Sequence, residues 1–188
     1  MADLREEMLE NLSMLQDENV PYDIKLDCYD YLMDGCEDIV DEMIEAYRNN
    51  GTSDVAKMLL EILSNYPGHD EVYFALVSWL YRGDDVPLFA HLIGKYGDDR
   101  GLEALQGFLK EYEPTYSEFI EIRAAIEELG GEVSEDDTPD FSEDPLYKAT
   151  IYDESEETDE DIGKRILDRL TNPDNIDDAG NGEQDDNR

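Results

Sequence analysis

The side chains that most often act as nucleophiles or metal ligands are scarce in this chain. Its 188 residues include two cysteines, Cys28 and Cys36, and two histidines, His69 and His91. A zinc site needs Cys and His side chains clustered together, whereas these cysteines are eight positions apart. No HExxH, GxSxG, P-loop or dinucleotide-binding glycine pattern occurs. We therefore expect no enzymatic activity, no cofactor and no catalytic or metal-binding residues.

Acidic residues are abundant enough that a calcium-binding loop has to be considered. An EF-hand loop places oxygen ligands at its first, third, fifth and twelfth positions and glycine at its sixth. With Gly35 as that glycine, Leu32 takes the third position and offers no side-chain oxygen. With Gly182 in the same role, Ala179 takes the third position. The sequence therefore predicts no calcium loop.

The overall charge balance is the most unusual property of the chain. Fifty-one acids face 14 bases, which gives a formal net charge of −37. Such a surface repels nucleic acids and anionic membranes and attracts basic proteins. No apolar run follows Met1, and no stretch is long and apolar enough to span a bilayer. We expect a cytoplasmic protein that binds neither membranes nor nucleic acid directly.

The acids recur at helical spacing in residues 37–45, where like charges face one another. Glu37–Asp41, Asp38–Glu42 and Asp41–Glu45 are i,i+4 pairs, and no base precedes Arg48. Each such pair costs a few tenths of a kcal/mol in a helix. A surface selected for stability alone mixes positive and negative charges. We therefore expect this one-sign charge to serve binding.

Residues 1–131 show a helical hydrophobic period throughout. The segment 53–66, for example, places Val55, Leu59 and Ile62 on one face. Glycines follow the apolar runs, where helices end, and Ser or Asp precede them, where helix N-caps are expected. The glycines are Gly51, Gly83, Gly97 and Gly130, and the expected N-caps are Ser53, Asp70, Asp84, Asp98 and Ser117.

The helices are spaced as a repeat of helix pairs. The first helices of successive pairs are predicted to begin near Asp23, Ser53, Asp84 and Ser117, at intervals of 30, 31 and 33 residues. The turns inside the pairs are "MDGCEDIV" (33–40), "YPGHDEV" (66–72) and "YGDDRGL" (96–102), each with glycine and then acids. A fixed period of this length is typical of stacked helical repeats. An irregular helical bundle is the alternative.

The pattern resembles that of HEAT-type repeats. In "HDEVYFALVSWL", Asp70 leads into a second helix with Val72, Ala75 and Leu80. The resemblance covers residues 21–130 and implies a short all-α solenoid of antiparallel helix pairs. Two departures are that Tyr73 stands where those repeats often have a basic residue, and that the repeats are shorter.

Composition changes at Gly130-Gly131. We therefore divide the chain into a helical-repeat domain, residues 1–131, and an acidic, mostly disordered arm and tail, residues 132–188. Within the arm, "LYKATIY" (146–152) is predicted to favour a β-strand. Residues 159–170, "DEDIGKRILDRL", predict a short amphipathic helix that either caps the solenoid or docks in a groove on a partner.

The acidic surface has three alternative explanations. The carboxylates could imitate a polyanion, as in the anti-restriction, anti-CRISPR and nuclease-immunity proteins that this chain resembles in bulk charge. They could reflect a cytoplasm of high salt, although twelve Ile and nine Asn are not typical of that adaptation. They could also simply keep a helical-repeat adaptor or scaffold soluble.

We favour imitation of a polyanion. The sequence predicts a non-enzymatic acidic protein, of inhibitor or immunity type, that blocks the basic surface of a nucleic-acid-handling protein or nuclease. Equivalent turns of stacked repeats line up along one edge, so acids at the turns are the predicted partner-binding residues: Asp34, Glu37, Asp38, Asp70, Glu71, Asp84, Asp85, Asp98 and Asp99.

Overall fold

The computed structural model describes residues 2–155, and the surroundings of side chains are described for residues 4–150. Within that range the chain is helical and contains no strand. The α-helices are α1 (Ala2–Gln16), α2 (Tyr22–Met33), α3 (Val40–Asn50), α4 (Asp54–Leu63), α5 (Asp70–Arg82), α6 (Val86–Tyr96), α7 (Arg100–Glu111), α8 (Tyr116–Glu128) and α9 (Pro145–Ser155). Short 3-10 turns occupy Glu37–Ile39 and Glu135–Asp137. The all-α prediction is confirmed.

The helices pack on neighbours one or two places along the chain. Contacts join α1 to α2, α3 to α4, α5 to α6 and α7 to α8, and also α1 to α3, α2 to α4, α5 to α7 and α6 to α8. Short connections between packed helices make consecutive helices antiparallel. We use the name pair turns for the α2–α3, α4–α5 and α6–α7 connections, and linking turns for the α3–α4, α5–α6 and α7–α8 connections. The pair turns therefore lie at the opposite end of the helices from the linking turns. Helices joined by the linking turns contact each other more extensively than the helices of the predicted pairs do, and the HEAT-like solenoid stays a prediction.

The glycines predicted to end helices agree with the structure better than the predicted N-caps do. Gly83 and Gly97 end α5 and α6 in the left-handed conformation, at φ 72° and 71°. Ser53 is an N-cap as expected, and its side chain accepts from the Ala56 N–H. The other four expected N-caps are wrong by one or two residues. Before α8, for example, Thr115 forms a capping box with Glu118, which supplies the same oxygen acceptor as Ser117 would.

The repeated tyrosine of the pair turns joins each turn to the preceding one. The Tyr66 hydroxyl, just after α4, accepts from the backbone N–H of Cys36 at 2.7 Å. The Tyr96 hydroxyl, at the end of α6, accepts from the His69 N–H at 2.8 Å and donates to the His69 carbonyl at 2.9 Å. Burial raises the pKa of Tyr66 to about 12, so its hydroxyl stays protonated at neutral pH. The recurring Tyr therefore satisfies backbone groups that no helix satisfies.

Aromatic side chains also connect successive pairs. Trp79 of α5 stacks on Phe89 of α6 with ring centroids 5.1 Å apart, and its indole N–H donates to the Tyr47 hydroxyl at 3.2 Å. Tyr73, which departs from the HEAT-type pattern, donates its hydroxyl to the Arg100 carbonyl in the next pair. Side chains that are conspicuous in the sequence thus connect successive pairs.

Helices α6 and α8 approach each other unusually closely. A Cβ atom added to Gly94 would lie 3.0 Å from the Ala125 Cα and 3.1 Å from its Cβ. Small residues on both helices are needed for this approach, because a larger side chain would push the backbones apart.

The described chain divides into two compact units, one ending at Asp140 and one beginning at Phe141. In the second unit, residues 146–152 lie in helix α9, so the predicted β-strand is wrong. The Asp144 carboxylate accepts from the Leu146 N–H at 2.8 Å, and Pro145 is the first helical residue. An acidic cap followed by proline starts a helix despite the β-prone side chains. The predicted helix at 159–170 lies outside the described residues.

None of the helices between residues 2 and 155 has the length and apolar character needed to cross a bilayer.

Candidate binding surface

Helix α3 has one buried face and one acidic face. Its apolar residues recur every three to four positions and are buried, namely Val40, Met43, Ile44 and Ala46. That face packs toward α1 and α4. The same helical period leaves Asp41, Glu42 and Glu45 on the opposite side. Glu37 and Asp38 are exposed in the 3-10 turn before the helix.

The acidic face of α3 borders a groove that continues to the α4–α5 pair turn. A cavity of about 450 Å³ lies beside residues 37–42 and 65–69, and a second of about 620 Å³ lies beside residues 41–48 and 68–71. Both are lined by Asp41 and His69, so they adjoin. We call their joint surface the α3 groove. Its acidic lining residues are Glu37, Asp38, Asp41, Glu42, Glu45, Asp70 and Glu71.

The carboxylates of the α3 groove are only partly neutralised within the chain. Glu42 pairs with Arg5, and Glu71 pairs with Arg48 through two guanidinium nitrogens. Asp70 pairs with Arg100 at 2.7 Å. The other four form no ion pair among the described residues: Glu37 and Asp38 lie in the 3-10 turn before α3, and Asp41 and Glu45 lie on α3. The groove therefore offers four carboxylates without an ion pair among the described residues, of which Glu45 shares the groove with Arg48.

Hydrogen bonds from arginine keep the paired acids ionised. Arg48 lowers the pKa of Glu71 below its usual range, mainly through its hydrogen bonds to the carboxylate. Arg100 lowers the pKa of Asp98 in the same way. These carboxylates are therefore negatively charged throughout the neutral range.

The pair turns beyond the groove are linked by a shared arginine. Arg100 contacts Asp98 at 2.7 Å and Asp70 at 2.7 Å, so one guanidinium joins the α4–α5 and α6–α7 turns. Asp99 beside it is exposed and forms no ion pair among the described residues. Two of the predicted binding acids are thus already occupied by a base of the chain itself.

The structure does not bring the nine predicted acids to one place. Glu37, Asp38, Asp70 and Glu71 line the α3 groove. Asp34 lies at the end of α2, and Asp98 and Asp99 lie in the next pair turn. Asp84 and Asp85 lie in a linking turn, at the other end of the helices, where they pair with Arg82 and Lys57.

Among the described residues, no three His, Cys, Asp or Glu side chains are grouped so that they could hold a metal ion. Both cysteines are buried, and Cys36 contacts the Met43 sulfur at 3.1 Å. Burial raises the pKa of both thiols, which keeps them protonated. His69 is half-buried at the start of α5, and His91 is exposed on α6.

Sequence reasoning missed part of this surface. Asp41 and Glu45 line the groove but were not among the predicted residues, although the successive i,i+4 spacings Glu37–Asp41 and Asp41–Glu45 indicate a shared face. It also missed the exposed aromatic residues Phe74 and Tyr81 on the outer side of α5. The sequence did not distinguish these exposed positions from buried ones, because α5 is apolar from Val72 to Tyr81 except for Ser78.

Searches with the chain find no matching family model, no similar curated protein and no similar solved structure.

Proposed function

We propose that the chain is a non-enzymatic acidic binding protein that covers the basic surface of a nucleic-acid-handling protein or nuclease. The partner is a basic protein, and the chain acts as an inhibitor or immunity-type protein by presenting carboxylates where the partner would otherwise meet phosphates. The observation that supports this most strongly is the α3 groove, where four carboxylates without an ion pair among the described residues lie on the 3-10 turn and the first half of α3.

Like-charge spacing in the groove supports a role in binding over a role in stability. Asp41 and Glu45, four residues apart on α3, repel each other, and the buried face of α3 does not need them for packing. A basic partner would relieve this repulsion as it binds. Attraction of this kind speeds association and weakens with salt, because exposed charges are screened beyond about 8 Å at physiological ionic strength.

Salt-dependent capture followed by competition tests the proposal. The immobilised full chain should retain a nucleic-acid-binding protein from lysate at about 50 mM NaCl and release it at about 0.5 M, where screening is much shorter. The captured protein is then purified and bound to a fluorescent DNA duplex. Adding the chain should displace the duplex and lower its fluorescence anisotropy.

An adaptor role and adaptation to high salt would each give a different result in these experiments. A complex that survives high salt and leaves the DNA bound would contradict mimicry and support an adaptor. A chain that unfolds at low salt and refolds only in molar KCl would support adaptation to high salt.

A further inference from the structure

Helix α5 carries an exposed aromatic stripe on its outer face. Phe74 is 59% exposed and Tyr81 is 48% exposed. They are seven residues apart, which is two helical turns and places them on the same side of the helix. The stripe begins one turn after Asp70, a lining residue of the α3 groove. It therefore follows the groove along α5, while neither Phe74 nor Tyr81 lines either of the two cavities.

The chain already builds aromatic–cation–carboxylate units around this helix. The Arg100 guanidinium lies 4.2 Å from the Tyr73 ring centroid while Asp70 and Asp98 hold its N–H groups. The Arg82 guanidinium lies 4.2 Å from the Trp79 ring centroid and pairs with Asp84. In each unit a guanidinium lies over a ring, and a carboxylate pairs with the guanidinium nitrogens.

Phe74 and Tyr81 have the ring of such a unit and remain exposed, and Asp70, one turn before Phe74, already pairs with Arg100. Arg100 is 5.5 Å from the Phe74 centroid, at the limit of a cation–π contact, and most of Phe74 is still accessible. Tyr81 packs edge-on against Phe108 at 5.2 Å, and no cation of the described residues lies over its ring. Burial, and then the nearby charge of Glu111, raise the pKa of Tyr81, which places another carboxylate near this ring.

We propose that the Phe74–Tyr81 stripe binds arginine side chains of the basic partner. This inference rests on the proposed function and adds the chemistry of the partner segment, which is rich in arginine and not merely positively charged. Arginine stacks flat on an aromatic ring while its N–H groups reach carboxylates beside the ring, whereas the compact, strongly hydrated ammonium of lysine does so less well. The net charge of −37 and the charge of Glu111 near Tyr81 favour a cationic occupant over a neutral apolar one.

Hexa-arginine and hexa-lysine peptides of equal charge separate the two contributions. Labelled peptides are titrated with the full chain, and binding is followed by fluorescence anisotropy. We expect hexa-arginine to bind more tightly than hexa-lysine. Phe74→Ala should weaken hexa-arginine binding by about three- to tenfold, the range of an exposed to partly desolvated cation–π contact, and should change hexa-lysine binding by less than about twofold.

Two further variants identify what occupies the stripe. Phe74→Leu keeps an apolar side chain without a ring and should behave like Phe74→Ala. Tyr22→Ala removes an aromatic side chain that is 63% exposed on α2 and should leave both affinities unchanged. Full affinity in Phe74→Leu would overturn the proposal in favour of an apolar partner. If sedimentation of wild type depends on protein concentration and that of Phe74→Ala does not, the stripe binds a second copy of this chain and the proposal is wrong.

The same titrations distinguish failure of this inference from failure of the proposed function. If both peptides bind wild type and depend on the groove acids but not on Phe74, the stripe inference is wrong and the proposed function stands. If wild type binds neither peptide at about 50 mM salt, where exposed charges are weakly screened, both are wrong.

Discussion

Neutralising the four unpaired carboxylates of the α3 groove should weaken hexa-lysine binding by about 30-fold at low salt. The variant combines Glu37→Gln, Asp38→Asn, Asp41→Asn and Glu45→Gln. Exposed charge pairs contribute about 0.2 to 1 kcal/mol each, so four of them amount to about 2 kcal/mol, and 1.4 kcal/mol corresponds to a tenfold change. Anisotropy titrations at about 50 mM and 0.5 M NaCl measure the affinity and its salt dependence, which should be smaller in the variant.

A matched control removes the same number and type of charges elsewhere. Glu18→Gln, Asp23→Asn, Asp27→Asn and Glu113→Gln alter acids that do not line the groove. This control should lose less than about threefold in affinity, because only long-range attraction is reduced. Equal losses in the two variants would mean that the net charge alone attracts basic ligands and that the groove has no particular role.

Removing both tyrosine hydroxyls from the pair turns should lower the free energy of unfolding by about 3 kcal/mol. In the double variant Tyr66→Phe, Tyr96→Phe, the N–H groups of Cys36 and His69 lose their acceptors. A buried donor left without a partner costs about 1 to 3 kcal/mol, and effects at separated sites are approximately additive. Urea denaturation followed by circular dichroism measures the change.

The control for this variant is Tyr22→Phe, which removes a hydroxyl from a highly exposed side chain. It should change stability by less than about 0.5 kcal/mol, as is usual for surface substitutions. A double variant as stable as wild type would show that the tyrosine hydrogen bonds do not hold successive pair turns together.

The helical fold could be predicted because its main signal is local. Apolar residues at 3.6-residue spacing, and glycines such as Gly83 and Gly97 that end helices, are visible in the sequence. The prediction was wrong at residues 146–152, because it relied on the β-prone side chains and overlooked Asp144 and Pro145, which start a helix there. Short segments allow either structure, and the capping residues determine the outcome there.

The binding surface could be predicted only in part, because ion pairs join residues distant in sequence. The sequence identified the acids of α3 from their spacing, and the structure places Glu37 and Asp38 on the groove. It could not show that Arg100 reaches back 30 residues to Asp70. Nor could it show that Lys57 pairs with Asp85 at 3.7 Å. Which carboxylates remain available depends on where the few bases lie after folding.

Amide chemical shifts give the most direct test of the claim that the α3 groove is the recognition surface. Unlabelled hexa-lysine is added to the ¹⁵N-labelled full chain at low salt, and the perturbed amides are mapped. We predict that the largest changes cluster in residues 37–45 and 68–71, with small changes around Asp23 and Glu113. Changes spread evenly over the acids of all the helices would contradict the account.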